Sequence, residues 1–225
     1  MNRKPPKTII FDVNETLLSL APLKASVGAA LGGREELLPL WFSTMLHYSL
    51  VETVSGSYHS FGEIGTAALM MVAETQGIDL DEQEAERAVI PPLQSLPPHP
   101  DVIPGLETLA GHGFQIASLT NSSARAAEAQ LQNAGLTHLI KKRFSVEPVG
   151  KFKPHPDTYQ MVLDDLGVYP EDTLMVAAHA WDLAGAKSVG LQTAFIKRPG
   201  TALYPNAPTP DYLADDLNGL AKLLV

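Results

Sequence analysis

The amino-acid sequence predicts an α/β fold: a Rossmann-like parallel sheet with helices on both faces and an inserted helical cap. Three observations carry that expectation. Short apolar or β-branched runs recur along the chain, and most lead through a loop into a helical stretch of 10 to 15 residues, the pattern of βαβ units. The loops that follow these runs are rich in polar and charged residues, as expected where strand ends converge on a ligand crevice. Between the first and second runs lies a long segment, about 19–97, with helical spacing and no convincing strand.

The elements follow in order. Residues 7–11, Lys-Thr-Ile-Ile-Phe, end abruptly in Asp12 and suit a strand buried on both faces. In the insert, Leu37, Leu40, Trp41, Met45 and Tyr48, then Ile64, Ala67, Ala68, Met71 and Val72, fall at helical spacing, and four helices are expected. Pro91-Pro92 and the Pro97-Pro98-His99-Pro100 run are expected to end the last of them. A second strand at 114–119 leads through Thr120-Asn121-Ser122-Ser123 to an Ala-rich helix at 124–134, closed by Gly135. A strand at 144–146 precedes a Lys- and Pro-bearing loop and a helix near 157–166. A strand at 173–176 leads into a helix at 180–189. A strand at 192–196, an edge strand near 212–213 and a helix at 217–224 complete the chain. The expected organisation is a discontinuous α/β core, 1–17 and 98–225, with a helical cap at 18–97.

Composition narrows the function. The 225 residues include 16 Lys or Arg and 25 Asp or Glu, a formal charge of −9, so the basic footprint of a nucleic-acid binder is missing. The insert carries −7 of that charge and the core only −2. With no cysteine, disulfides, Cys-ligated zinc, iron–sulfur clusters and thiol nucleophiles are excluded. The polar start, 1–7, lacks an apolar leader, and no window approaches about 18 apolar residues, so a cytoplasmic protein without a membrane partner is expected. Catalysis falls to oxygen and nitrogen groups.

The chemistry gathers at the strand ends. Asp12 opens Phe-Asp-Val-Asn-Glu-Thr-Leu, residues 11–17. Thr120 and Asn121 end the second strand, Lys153 stands before Pro154 in the third loop, and Ala-Ala-His-Ala-Trp-Asp, residues 177–182, follows the fourth. An isolated strand-end Asp reads equally as a turn or helix cap. Two carboxylates and an ammonium in one crevice are, however, the parts of covalent catalysis by an aspartyl nucleophile. This ordered set resembles the haloacid dehalogenase superfamily and, over essentially the whole length, the type II 2-haloacid dehalogenases. The resemblance implies Asp12 as nucleophile, Thr16 and Thr120 bonding it or a substrate carboxylate, Lys153 holding the carboxylates, and Asp182 pairing with Lys153 and placing the hydrolytic water. It implies Tyr159 as an active-site tyrosine, for which plain packing is an equal reading.

Two departures separate this chain from the magnesium-dependent phosphatases of the superfamily. Asn14 stands where they carry the aspartate that protonates a departing alkoxide, and an amide cannot deliver that proton, whereas a halide needs none. Ala178 stands at a usual carboxylate ligand position, and magnesium wants hard oxygen ligands. The expectation is therefore a cofactor-free, metal-independent hydrolase of short 2-haloacids, with the substrate carboxylate on the N–H groups of Thr120-Asn121-Ser122. A magnesium-dependent phosphatase and a non-catalytic binding protein are the competing readings. His179 reads either as a group polarising the hydrolytic water or as a loop histidine bonded to a backbone carbonyl. The cap arginine of related dehalogenases aligns near Trp41-Phe42, which leaves halide binding to the aromatics Trp41 and Phe42 or to donors such as His47. A homodimer is expected by the same resemblance.

Overall fold

The computed structural model describes residues 4–225. Its centre is a six-stranded sheet in the order β3-β2-β1-β4-β5-β6, with every adjacent pair parallel. The strands are β1 (Thr8–Phe11), β2 (Gln115–Thr120), β3 (Lys142–Ser145), β4 (Thr173–Ala177), β5 (Gln192–Ile196) and β6 (Tyr212–Ala214). All four residues of β1 and all five of β4 are buried, as their unbroken apolar character requires when helices cover both faces. Phe11 registers with Ser118 on one side and Val176 on the other, so β1 lies where the strand order reverses. A crevice opens at such a switch point, beyond the carboxyl ends of the strands, and Asp12 is the first residue past that end.

Between β1 and the rest of the sheet come α1 (Ala21–Ala30), α2 (Leu38–Ser55), α3 (Phe61–Thr75) and α4 (Glu82–Gln94). Ser60 with Glu63 and Asp81 with Glu84 form capping boxes that start α3 and α4, each side chain accepting from the other residue's backbone N–H. Gly56 ends α2 in the left-handed conformation at φ 76°. Of the expected α2 stripe, Leu37, Trp41 and Met45 are buried, whereas Leu40 and Tyr48 face outward. The two linkers to the core run side by side: Ser19 N–H donates to the Pro97 carbonyl at 2.8 Å and His99 N–H to the Leu17 carbonyl at 2.9 Å.

Two features of the core and linkers differ from the sequence expectation. Helix α4 does not stop at Pro91-Pro92 but continues to Gln94. The prolines occupy its last turn and lack the N–H groups that would bond the Arg87 and Ala88 carbonyls; the Ser26 hydroxyl donates to the Ala88 carbonyl at 2.8 Å, and the Ser95 hydroxyl lies 3.1 and 3.4 Å from the Pro91 and Pro92 carbonyls at the helix end. A further helix, α5 (Val102–Gly111), starts directly after the Pro-rich linker. The remaining helices, α6 (Ala124–Asn133), α7 (Pro156–Leu166), α8 (Ala180–Ser188) and α9 (Leu217–Leu224), return the chain across the sheet. No described helix is long and apolar enough to cross a membrane.

Candidate active site

The loop after β1 curls back on itself. Leu17 and Leu18 N–H both donate to the Val13 carbonyl, and Glu15 takes φ 65°, the left-handed region uncommon for a residue with a side chain. This turn brings the Thr16 hydroxyl back to Asp12, where it donates to Oδ2 at 2.7 Å. Thr16 Oγ1 in turn accepts the Ala178 N–H from the end of β4 at 2.9 Å, so two adjacent strand ends hold one hydroxyl.

Lys153 enters from the loop after β3. Its side chain is 1% exposed, and Nζ donates to Asp12 Oδ1 at 2.8 Å, Asp182 Oδ2 at 2.7 Å and the Leu119 carbonyl at 3.0 Å. An ammonium has three protons, and all three are engaged. Asn121 Oδ1 fixes the lysine backbone by accepting the Lys153 N–H at 2.9 Å. Asp182, on the first turn of α8, is fully buried and accepts the Tyr159 hydroxyl on Oδ1 at 2.5 Å.

The three charges set one another. Burial works to raise the Asp12 carboxyl, but the Lys153 ammonium and the hydrogen bond with His179 outweigh it and hold the group well below the usual carboxylate range. Burial, joined by the Asp12 charge, leaves Asp182 above its ordinary value. Lys153 is raised, because the two carboxylates outweigh the burial that opposes its charge. Asp12 is thus the carboxylate held ionised.

Asp12 faces a narrow cavity lined by Asn14, Phe42, Leu46, Phe61, Thr120, Asn121, Lys153, His179 and Trp181. The His179 ring lies between Phe42, at 5.9 Å and 26°, and Trp181, at 5.2 Å and 25°. Its Nδ1 is 3.3 Å from Asp12 Oδ2, so the partner of that nitrogen is the Asp12 carboxylate rather than a backbone carbonyl. Asn14 sits across the cavity, donating to Ser122 Oγ at 3.3 Å and accepting from Gln130 Nε2 at 2.9 Å.

Asp12, Thr16, Thr120, Asn121, Lys153, His179, Asp182 and Phe42 are therefore brought together, and other expected residues are not. Trp41 does not line the cavity: it is fully buried within the helical insert, its Nε1–H donating to the Gly65 carbonyl at 2.8 Å. The helical twist turns it inward while its neighbour Phe42 faces the site. Tyr159 is buried behind Asp182 and touches that residue rather than the cavity. Exposed His47 packs edge-on against Tyr48, away from the cavity. Ser122 N–H is consumed by Thr120 Oγ1 at 3.2 Å and Ala124 N–H by Glu147 at 2.8 Å, which leaves fewer free donors for an anion than expected.

Three wall residues escaped the sequence reading. Leu46 follows Phe42 by four positions, and that spacing on one helix face was the available signal. Trp181 stands beside Asp182 in the same motif, and Phe61 carries no local signal, since only tertiary packing brings the start of α3 to the cavity.

Magnesium does not fit these residues. Lys153 Nζ occupies the space between Asp12 and Asp182, and the neighbouring ligand position is Ala178, which has no oxygen to offer from its side chain.

The sequence profile of the haloacid dehalogenase-like hydrolases matches residues 6–190. The (S)-2-haloacid dehalogenase 1 of Pseudomonas sp. strain CBS-3 is 31% identical over 195 residues, covering 86% of each chain. Haloacetate dehalogenase H-2 of Moraxella sp. strain B is 28% identical, covering 98% of this chain and 99% of its own. The structure of L-2-haloacid dehalogenase from Xanthobacter autotrophicus superposes with a TM-score of 0.91 at 28% identity, covering 97% of this chain and 98% of that one. The same enzyme with chloropropionic acid covalently bound gives 0.89 at the same identity and coverage. With its parallel sheet, its strand-end aspartate and these relatives in agreement, the chain belongs to the haloacid dehalogenase-like hydrolase family.

Proposed function

We infer that the protein hydrolyses the carbon–halogen bond of short 2-haloacids to 2-hydroxy acids through an aspartyl ester on Asp12. The observation that carries the reading is Asp12 itself: a carboxylate at a strand end, bonded by the Lys153 ammonium and facing a small cavity whose other lining residues include no carboxylic acid. An Asp12 oxygen forms a bond to the substrate C2 as the carbon–halogen electron pair departs with the halide. Water then adds to the Asp12 carbonyl carbon, and collapse of that adduct expels the 2-hydroxy acid, with one proton released overall. Burial makes the fixed charges and dipoles around Asp12 effective, because no solvent has to reorganise as charge moves.

The residue roles follow from contacts. Thr16 donates to Asp12 Oδ2, where negative charge gathers during ester hydrolysis. Lys153 keeps the nucleophile ionised, and Tyr159 orients Asp182 from behind. Thr120 and Asn121 border the side on which a substrate carboxylate sits, and Phe42, Leu46, Phe61 and Trp181 wall the space for the halogen and C3. His179 polarises the water of the second step. Residues 18–97 act as a cap over a core of 1–17 and 98–225, with the site between them. The enzyme acts without a metal or other cofactor, in the cytoplasm, and as a homodimer. Support for the dimer is the apolar exposure of Leu40, Tyr48, Leu50, Val51 and Val54 on α2.

The test is halide release from haloacetates and 2-halopropionates, with p-nitrophenyl phosphate alongside, in EDTA or in magnesium and with Asp12→Asn as control. Halide release that survives EDTA and disappears in the variant is expected; magnesium-dependent phosphate release would overturn the reading. His179→Asn is expected to accumulate the Asp12 adduct, visible by intact mass; turnover that persists with no adduct would remove His179 from the second step.

A further inference from the structure

We propose that Arg198 is a positioning residue for the dehalogenation reaction, acting on Asp12 through Thr16. The inference rests on Asp12 being the nucleophile. Arg198 lies just past β5, well away from every catalytic motif in sequence, and is 6% exposed. Its Nε and Nη2 donate to one acceptor, the Thr16 carbonyl oxygen, at 3.1 and 2.8 Å. Nη1 and Nη2 donate to Asp101 Oδ1 and Oδ2 at 2.8 and 3.0 Å. Asp101 Oδ2 also accepts the Leu217 N–H at the start of α9, at 2.7 Å. A guanidinium is a rigid planar fork, and this one is held on one edge by a carboxylate and delivers its other edge to a single backbone carbonyl.

That carbonyl belongs to the residue whose hydroxyl serves Asp12. Thr16 is gripped on its outer side by Arg198, while on its inner side Oγ1 donates to Asp12 Oδ2 and accepts the Ala178 N–H. The preceding carbonyl, of Glu15 in its left-handed conformation, is held by His99 Nε2 at 2.9 Å. A carbonyl only accepts, so Nε2 carries the proton. Two successive carbonyls of the nucleophile loop are thus fixed from outside by side chains that do not line the cavity. A turn that keeps a non-glycine residue at positive φ persists when its surroundings determine it, and the Arg198–Asp101 fork is part of those surroundings. A lysine in its place brings the charge but not the fork: its three protons radiate from one nitrogen and cannot reproduce the four bonds that three guanidinium nitrogens make to Asp101 and the Thr16 carbonyl.

The test compares Arg198→Lys, Thr16→Val, the double variant and Asp101→Asn, reading kcat, KM, the single-turnover rate of Asp12 adduct formation by intact mass, and Tm. R198K is expected to lower kcat and adduct formation about tenfold, the loss expected of one charge-assisted hydrogen bond, with KM within about twofold. In the T16V background the same change is expected to cost less than about twofold, because the hydroxyl it positions is gone. A lower Tm with unchanged kcat, or effects that multiply fully in the double variant, would overturn the proposal. If R198K does not fold, D101N decides: it keeps the arginine and frees one edge of its fork, and a kcat equal to wild type would overturn the proposal. Halide release that persists in Asp12→Asn refutes Asp12 as nucleophile, and this inference with it; adduct formation insensitive to R198K refutes the positioning role alone.

Discussion

Replacing Lys153 with methionine removes one positive charge from a buried cluster of three. In the wild type two carboxylates, 7% and 0% exposed, share an ammonium at 2.8 and 2.7 Å, and the cluster carries one net negative charge. At an effective dielectric of about 20, each of those contacts amounts to roughly 6 kcal/mol of Coulomb attraction, most of it set against desolvation. Removing the cation forfeits the attraction, keeps the desolvation of the carboxylates and leaves like charges facing each other, so a net loss of about 3–5 kcal/mol is expected near neutral pH. For a chain of this length that corresponds to a Tm fall on the order of 6–20 °C.

The loss carries a pH signature. In the wild type the Asp12 pKa lies below its unfolded value, so its contribution is present above about pH 4 and is lost as pH falls through the folded pKa. Lys153 lies above its unfolded value, so its contribution is present below about pH 10 and is lost as pH rises through the folded pKa. In K153M the largest cause of the Asp12 depression is gone while burial and the His179 contact remain, and the carboxylate pair takes up a proton. The penalty is then present above the raised pKa and relieved below it. Thermal unfolding followed by circular dichroism at pH 5 and pH 8 measures this: the deficit of K153M relative to wild type is expected to be larger at pH 8. An equal deficit at both pH values, or adduct formation at the wild-type rate, would refute the account of Lys153 as the group that keeps Asp12 ionised.

Other variants test neighbouring parts of the structure. Tyr159→Phe removes the hydroxyl on Asp182 and is expected to cost about 1.5–3 kcal/mol in unfolding free energy and to lower kcat more than it raises KM; unchanged kcat would detach Tyr159 from the chemistry. Gly185→Ala places a Cβ 2.5 Å from Pro154 Cβ, 2.7 Å from the Tyr159 hydroxyl oxygen and 2.8 Å from the Pro154 carbonyl, so it should push away the Lys153 loop and Tyr159 together. Halide release at wild-type rates from that variant would show the loop to be more yielding than its packing implies. Trp41→Phe leaves the Gly65 carbonyl without its indole donor, with an expected loss of about 1–3 kcal/mol that falls on Tm rather than on KM.

The core was open to reading because each of its signals is local. An unbroken apolar run ending in aspartate specifies a doubly covered strand whose end opens on a crevice, and β1 with Asp12 follows that rule. The Asn14 and Ala178 substitutions act at fixed distances from β1 and β4, so their chemical consequence was visible in one dimension. Helix α4 passing through Pro91-Pro92 was not visible, because one of the carbonyls the prolines leave without a donor, that of Ala88, accepts the Ser26 hydroxyl of another helix instead. Trp41 and Phe42 show the same limit: one residue of rotation about a helix, about 100°, separates core packing from the cavity wall, and an aromatic pair gives no sign of which faces where.

What the sequence by itself determined is the class of chemistry. The absence of cysteine, the strand-end Asp12, and an amide and an alanine where the family's phosphatases carry carboxylates point, through the family resemblance, to the carboxylate chemistry proposed above, with a leaving group that requires no proton. What only the tertiary structure decided is how Asp12 is held. Lys153 Nζ divides its three protons among Asp12, Asp182 and a β2 carbonyl, His179 lies between two aromatic rings, and Arg198 reaches across from β5 to the Thr16 carbonyl. These contacts join residues up to 182 positions apart. Their strength depends on burial and on distances of a few ångströms, and neither is a property of a residue's neighbours along the chain.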